Sequence, residues 1–296
     1  MKATRVFFGL TAVFLLLPIF VQAAAKDRVT ILYDAFSDNK TTTKDWGFSA
    51  LIEHDGKRIL FDTGNDAAIF EHNAKTLGVD LSKLDFVVIS HRHADHTTGL
   101  KYLLSVNPHV PVYAPLESFG IFGGAAPPTL IKPVTSLPER MRYFDGKYPD
   151  KIPTGYPWSG GNFVLVDKLT EISPGIFLVF TISKTPGTVE LRELSLALRG
   201  PNGLSLVVGC SHPGIEEILQ ASGAIDPHVH FLCGGLHLVS TPESEIDRLV
   251  DSLKNKWKID KVAPGHCTGE PAFLRLQKVF GQDDLYAGAG TQMEIP

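Results

Sequence analysis

Three histidines and an aspartate fall within six residues, His91-Arg92-His93-Ala94-Asp95-His96, directly after the run Asp85-Phe86-Val87-Val88-Ile89-Ser90. A short apolar, β-branched run reads as a buried strand, and Gly99-Leu100 with Leu103 and Leu104 reads as the onset of a helix. The six residues therefore form a strand-to-helix loop that crowds three imidazoles and a carboxylate into one turn. So many polar groups at the end of a buried strand need many partners. A divalent ion of borderline softness supplies them together, because neutral imidazole nitrogen and carboxylate oxygen are its ligands. The rest of the chain is organised around this turn.

Composition bounds the setting. The 296 residues are 44% hydrophobic and 20% charged, enough for a sizeable core in one domain with an insertion or in two. The net charge of −4 comes without Lys/Arg runs, so the electrostatic footprint of a nucleic-acid binder is missing. Residues 1–25 carry Lys2 and Arg5, then apolar Val6 to Val21 interrupted by Pro18, then Ala23-Ala24-Ala25. That order predicts a cleaved signal peptide, with an uncleaved anchor as the alternative, and places the mature protein in the periplasm or outside the cell. No other stretch is long enough to span a bilayer, so no stable membrane insertion is expected after cleavage. Three cysteines, Cys210, Cys233 and Cys267, are too few and odd in number for a disulfide framework. Either one pair is bridged, or thiols sit at the metal site, since Cys210 and Cys267 each neighbour a candidate histidine.

Along the mature chain, Val29 to Asp34 reads as a strand, and Ser49–His54 and Lys57–Asp62 flank the tight-turn pair Asp55-Gly56. Asn65 or Asp66 caps a helix running to Leu77, with Gly78 as its stop. From Pro108 to about Thr188 the chain is rich in Pro and Gly with scattered aromatics, which predicts an irregular insertion forming a lid or wall over the metal site, or else a surface excursion. Leu194–Leu198 and Leu204–Val208 read as strands turning at Gly200–Gly203, Ile215 to Leu219 as a helix, and His228–Cys233 as a strand. Thr241-Pro242 opens an amphipathic helix with Pro at its first position, Lys261 to Ala263 is a short strand, and Phe273 to Phe280 a last helix. After Gly281 the tail gives no pattern.

Of eleven histidines, His91, His93, His96, His212 and His266 follow apolar strands directly, and His237 lies just beyond one. Strand-end loops are where α/β folds gather functional residues. His54 and His72 read as ordinary surface residues and His109 as structural. His228 and His230 alternate along a strand and share a face, open to a surface, core or functional role.

The His-x-His-x-Asp-His signature resembles that of the metallo-β-lactamase superfamily, whose members are mostly binuclear metal hydrolases. Leu60-Phe61-Asp62-Thr63-Gly64 is similar to that superfamily's strand-end Asp turn. Gly209-Cys210-Ser211-His212-Pro213-Gly214, Gly234-Gly235-Leu236-His237-Leu238 and Pro264-Gly265-His266-Cys267-Thr268-Gly269 resemble the branch named for a dihydropterin-ribofuranosylaminobenzene phosphate synthase activity. The likeness runs from about Val29 to Phe280. It implies an α/β fold, a four-layer αββα sandwich of two mixed β-sheets over 26–296, with the irregular insertion at about 108–188.

The resemblance further implies that His91 and His93 bind one metal, Asp95 and His96 a second, and that His266 completes the second site. The first site needs another ligand, for which His212 is the best candidate. Where the commoner superfamily pattern has a Gly-Asp bridging carboxylate, this chain has Gly209-Cys210: either the Cys210 thiolate replaces the carboxylate, or the bridge is lost. His237 is a candidate acid/base group or a core histidine. The expected cofactor is zinc, two ions, other divalent metals being admissible. No Gly-x-Ser-x-Gly elbow, Walker loop or dinucleotide fingerprint is present. The expected protein is thus an exported enzyme hydrolysing a small-molecule ester, lactone, amide or phosphoester with metal-bound hydroxide, which Asp95 helps orient. A transferase of the synthase type with the same metals is the alternative. A di-iron oxidoreductase of this superfamily would carry a carboxylate where His93 stands.

Overall fold

The computed structural model describes residues 27–126, 129, 131–153 and 158–295; the expected signal peptide lies outside them. In chain order come β1 (Arg28–Tyr33), β2 (Ser49–His54), β3 (Lys57–Phe61), α1 (Ala67–Thr76), β4 (Phe86–Val88), α2 (Ala94–Thr97), α3 (Leu100–Val106) and β5 (Pro111–Pro115). A small ribbon of β6 (Ala125–Ala126) and β7 (Ile152–Pro153) precedes β8 (Asn162–Val166), β9 (Thr170–Ser173) and β10 (Ile176–Ile182). The second half runs β11 (Arg192–Gly200), β12 (Gly203–Val208), α4 (Ile215–Ser222), β13 (Val229–Gly235), α5 (Glu243–Asn255), β14 (Lys261–Gly265), α6 (Glu270–Phe280) and β15 (Gln292–Glu294).

Two mixed sheets result, one ordered β15-β1-β2-β3-β4-β5-β8 and one ordered β14-β13-β12-β11-β10-β9. Strand alternation divides the apolar side chains among three cores. In β3, Ile59 and Phe61 enter the core between the sheets, while Leu60 faces the core beneath α1 and α3. In β12, Val207 enters the inter-sheet core, while Leu204, Leu206 and Val208 pack against α4, α5 and α6. Three cores separate four layers, the expected αββα sandwich. Fully buried Phe61 and Phe231 each stabilise it by about 1.5–3 kcal/mol.

Local signals account for the joints. Asp55 and Gly56 have φ of 49° and 72°, the left-handed pair that a tight hairpin requires. The Asp66 carboxylate accepts from the backbone N–H groups of Ala68 and Ile69 and caps α1. Pro242 is the cap before α5 rather than its first residue.

Three expectations need correction. The stretch 108–188 is not one irregular insertion, since β5, β8, β9 and β10 belong to the two sheets. Buried Val112, Ala114, Ile176 and Leu178 hold these short strands in the cores, and flanking prolines and glycines hid them. Between β5 and β8 the described residues are largely irregular; Tyr143 and Phe144 are exposed there, while buried Phe122 packs edge-on against Trp158 and Phe163. The patternless tail ends in β15, which pairs antiparallel with β1 and buries Met293 and Ile295 against the inter-sheet core. His54 is buried beside Asp27, with Nδ1 2.6 Å from Oδ2, rather than on the surface. All three cysteines are buried free thiols. Among the described residues no helix is long and apolar enough to cross a membrane.

Candidate metal centre

β1 and β3 each run antiparallel to β2, and β4 runs parallel to β3, so β1, β3 and β4 end at one rim of the first sheet. In the second sheet β12, β13 and β14 are mutually parallel, and antiparallel β11 begins where they end. The two rims coincide, which brings together loops from 34 to 266.

The predicted residues converge there. One ring nitrogen each from His91, His93 and His212 lie within 4.8 Å of one another. Beside them, the His96 and His266 Nε2 atoms are 3.2 Å apart, and Asp95 Oδ2 lies 3.7 Å from the first and 3.4 Å from the second. Ligands about 2.0–2.2 Å from a tetrahedral ion are separated by roughly 3.3–3.6 Å, a spacing the second trio matches and the 4.8 Å bound on the first trio admits. Cys210 Sγ stands between them, 3.2 Å from His96 Nε2 and grouped with His91 and His96. A further group joins Cys210, His237 and Cys267.

Carboxylates behind the histidines set the tautomers. His96 Nδ1–H donates to Asp62 Oδ2 at 2.7 Å, and His212 Nδ1–H donates to Glu193 Oε2 at 3.1 Å. His91 Nδ1 is 2.9 Å from Ser90 Oγ, which in turn donates to Asp62 at 2.7 Å. Each of these three rings thus has its Nδ1 anchored from behind, which leaves Nε2 as the ligand atom, the usual support for a metal-binding imidazole. Among the described residues, the buried Nε2 of His91 has no hydrogen-bond partner, as a ligand position awaiting a cation would leave it. The donor set fits a divalent metal of the zinc class.

The backbone is shaped to the same end. Asp62, Ser211, His237 and His266 hold left-handed φ values of 57°, 63°, 53° and 48°, strain of about 1–3 kcal/mol each that the surrounding structure must offset. Gly209 is required by close approach: a Cβ there would meet Ser90 Oγ at 2.3 Å and Asp62 Oδ2 at 3.2 Å. Glu193 fixes the 209–212 loop, accepting from the backbone N–H groups of Cys210, Ser211 and His212 at 3.2, 2.7 and 3.0 Å. Asp34 accepts from the His266 N–H at 2.9 Å. Trp46, half-exposed, packs its ring 5.0 Å from that of His266 at the mouth.

The electrostatics favour neutral imidazoles at His91 and His93. Burial, reinforced by His96, His212 and His93, holds His91 far below the ordinary histidine range, and burial with His212 brings His93 down to about 4. Burial would lower His96 too, but the Asp62 and Asp95 carboxylates outweigh it and raise it to about 9. Burial pushes Asp95 up, yet a hydrogen bond from His266 and the charge of His96 hold its carboxyl well below the usual range. Burial pushes the Cys210 thiol up. For Cys267 burial acts the same way, but hydrogen bonds from Cys210 and His237 win and bring it down. A hydrogen bond with Cys267 in turn raises half-buried His237, whose Nδ1 has no hydrogen-bond partner among the described residues.

All eight residues singled out, His91, His93, Asp95, His96, Cys210, His212, His237 and His266, therefore lie together. His72 stays apart, bonded to Thr41. Glu193, Asp34 and Trp46 were missed, and Cys267 was seen only as a neighbour. The one signal for Glu193 was a lone carboxylate at the head of an apolar strand, β11.

Comparisons with known proteins agree with this geometry. A family model described as the metallo-beta-lactamase superfamily matches residues 43–193. The 7,8-dihydropterin-6-methyl-4-(beta-D-ribofuranosyl)-aminobenzene-5'-phosphate synthase of Methanocaldococcus jannaschii is 28% identical over 289 residues, 88% of this chain and 94% of that protein. The solved structure of Tm1679, a metal-dependent hydrolase of the beta-lactamase superfamily, superposes with a TM-score of 0.65 at 27% identity, covering 91% of this chain and 99% of the other. The short form of human tRNase Z shares the fold, with a TM-score of 0.53 at 12% identity over 91% of this chain and 99% of its own.

Proposed function

Since this chain belongs to the metallo-β-lactamase superfamily, we propose that it is a metal-dependent hydrolase of a small-molecule ester, lactone, amide or phosphoester, exported from the cell. The carrying observation is the pair of adjoining trios, His91/His93/His212 and Asp95/His96/His266, with carboxylate-anchored imidazoles in both. Those residues, with Cys210 between them, would hold two divalent ions, zinc being suited to the imidazole-rich set. When bound, such ions supply water with a pKa of about 7 and polarise a carbonyl or phosphoryl oxygen.

The chain's own residues supply the rest. Asp95, kept ionised, accepts a proton-bearing group beside His266 and orients it. Half-buried His237, beside Cys267, would donate a proton to the leaving group. Trp46 offers an apolar face at the mouth for the organic part of a substrate. The order of basic, apolar and small residues in 1–25 supports export, and an exported enzyme meets diffusible esters and phosphoesters rather than biosynthetic intermediates.

A synthase is the second reading, favoured by the end-to-end similarity to the archaeal enzyme. Turnover in ¹⁸O-labelled water with single ester, lactone and phosphodiester substrates separates the two. Label in the product, lost in His91→Ala, supports hydrolysis. Turnover only after a second acceptor is added supports the synthase. N-terminal sequencing of protein from the producing cell's envelope checks export, and Met1 still present would favour an anchor.

A further inference from the structure

At the opposite rim of the second sheet, where β13 and β14 begin, a second set of ligand-type side chains converges. His228 immediately precedes β13, His230 is its second residue, and Asp260 immediately precedes β14. His228 Nε2 is 2.9 Å and His230 Nδ1 2.6 Å from the same oxygen, Asp260 Oδ2, and the three ligand atoms all lie within 4.8 Å. At about 3.3 Å per residue, the strand separates His230 from His237 by roughly 20 Å, so this set shares no ligand with the centre described above.

We propose that His228, His230 and Asp260 form an additional binding site for a borderline divalent cation such as Zn²⁺. Two imidazoles and one carboxylate are the donor set of a three-ligand zinc site with solvent completing the shell, and the imidazoles disfavour Mg²⁺ or Ca²⁺, which take oxygen. Tetrahedral ligands need separations of roughly 3.3 Å, so the nitrogen–oxygen distances must open by only about half an ångström. Asp260 and His228 are free to make that movement, their side chains being 47% and 39% exposed. His230, at 16%, is held by the strand and acts as the fixed ligand. Three donors already held within 4.8 Å of one another spare the ion part of the ordering entropy that scattered surface histidines would require.

The test counts zinc. Full-length protein as produced, stripped with a chelator and titrated with Zn²⁺ against a fluorescent competitor, is expected to bind one equivalent per chain more than His228→Gln/His230→Gln. The equivalents that His91→Ala removes should be unchanged in that double variant. Asp260→Asn, which keeps the side chain's size, should weaken the additional site at least about tenfold, and Mg²⁺ should not compete for it. Equal zinc stoichiometry and affinity in wild type, the double variant and Asp260→Asn would overturn the proposal and leave a hydrogen-bonded His–Asp–His cluster. If the double variant melts early, Asp260→Asn alone decides.

Discussion

A carboxylate buried inside a sheet is unfavourable unless its oxygens are fully engaged. Glu193 meets that condition: three backbone N–H groups and the His212 imidazole reach it. Burial raises its pKa, but the hydrogen bond from His212 and the backbone donors outweigh burial and hold it down. Glu193 thus positions His212 without touching the space a substrate would enter. Glu193→Gln presents an amide N–H₂ to donors that need an acceptor. The expected result is a loss of about 2 kcal/mol in urea unfolding, in line with charged hydrogen bonds. Zinc affinity at the first trio should fall about 10–100-fold, read by chelator competition. Unchanged affinity with lowered stability would make Glu193 a purely structural residue.

At the scale of elements, α4 and α5 are joined through one side chain. Glu216 on α4 accepts from Ser252 Oγ at 2.6 Å, Arg248 Nη2 at 2.9 Å and Trp257 Nε1 at 3.2 Å. Partial burial raises its pKa, but these donors, Ser252 foremost, win and hold it at about 2. A carboxylate whose folded pKa is depressed contributes stability above its unfolded value of 4.5, and that contribution disappears as pH falls towards about 2. Glu216→Gln should therefore lower stability by about 1 kcal/mol at neutral pH, discounted for solvent screening. The gap between variant and wild type should close as pH falls from 4.5 to 2. Melting curves across that range check it; a constant gap would mean packing, not charge, joins the helices. Elements also show where pattern reading failed. β5 and β8 are five residues each and β15 three. Strands that short carry too few alternations to announce themselves among prolines and glycines.

Across the whole molecule, loops from both sheets meet at one rim and crowd imidazoles and carboxylates together. A cation bound there ties the two sheets through His91, His96, His212 and His266, and anything that binds only the folded state raises its stability by mass action. At about 100 times Kd one ion contributes about 2.7 kcal/mol, which for a chain of this size corresponds to a shift in Tm of roughly 4–5 °C. Scanning calorimetry with and without a chelator should show that loss, reversed by Zn²⁺. A Tm indifferent to chelation would argue that neither trio binds metal in solution.

Sequence alone determined what is local. The His91–His96 turn places four ligand-type groups within six residues, so backbone connectivity itself brings them together. Strand-end positions identified His212, His237 and His266, because parallel strands deliver their following loops to one rim. Apolar runs at β3, β4 and β12 marked buried strands, but not which face of each meets which core. Tertiary structure decided what depends on long-range approach. Glu193 beneath His212, Asp62 beneath His96, Cys267 beside His237 and β15 along β1 join residues 19 to more than 260 positions apart, and no periodicity encodes such pairings. Only packing of the two sheets sets those distances, and the same packing gathered His228, His230 and Asp260 at the far rim.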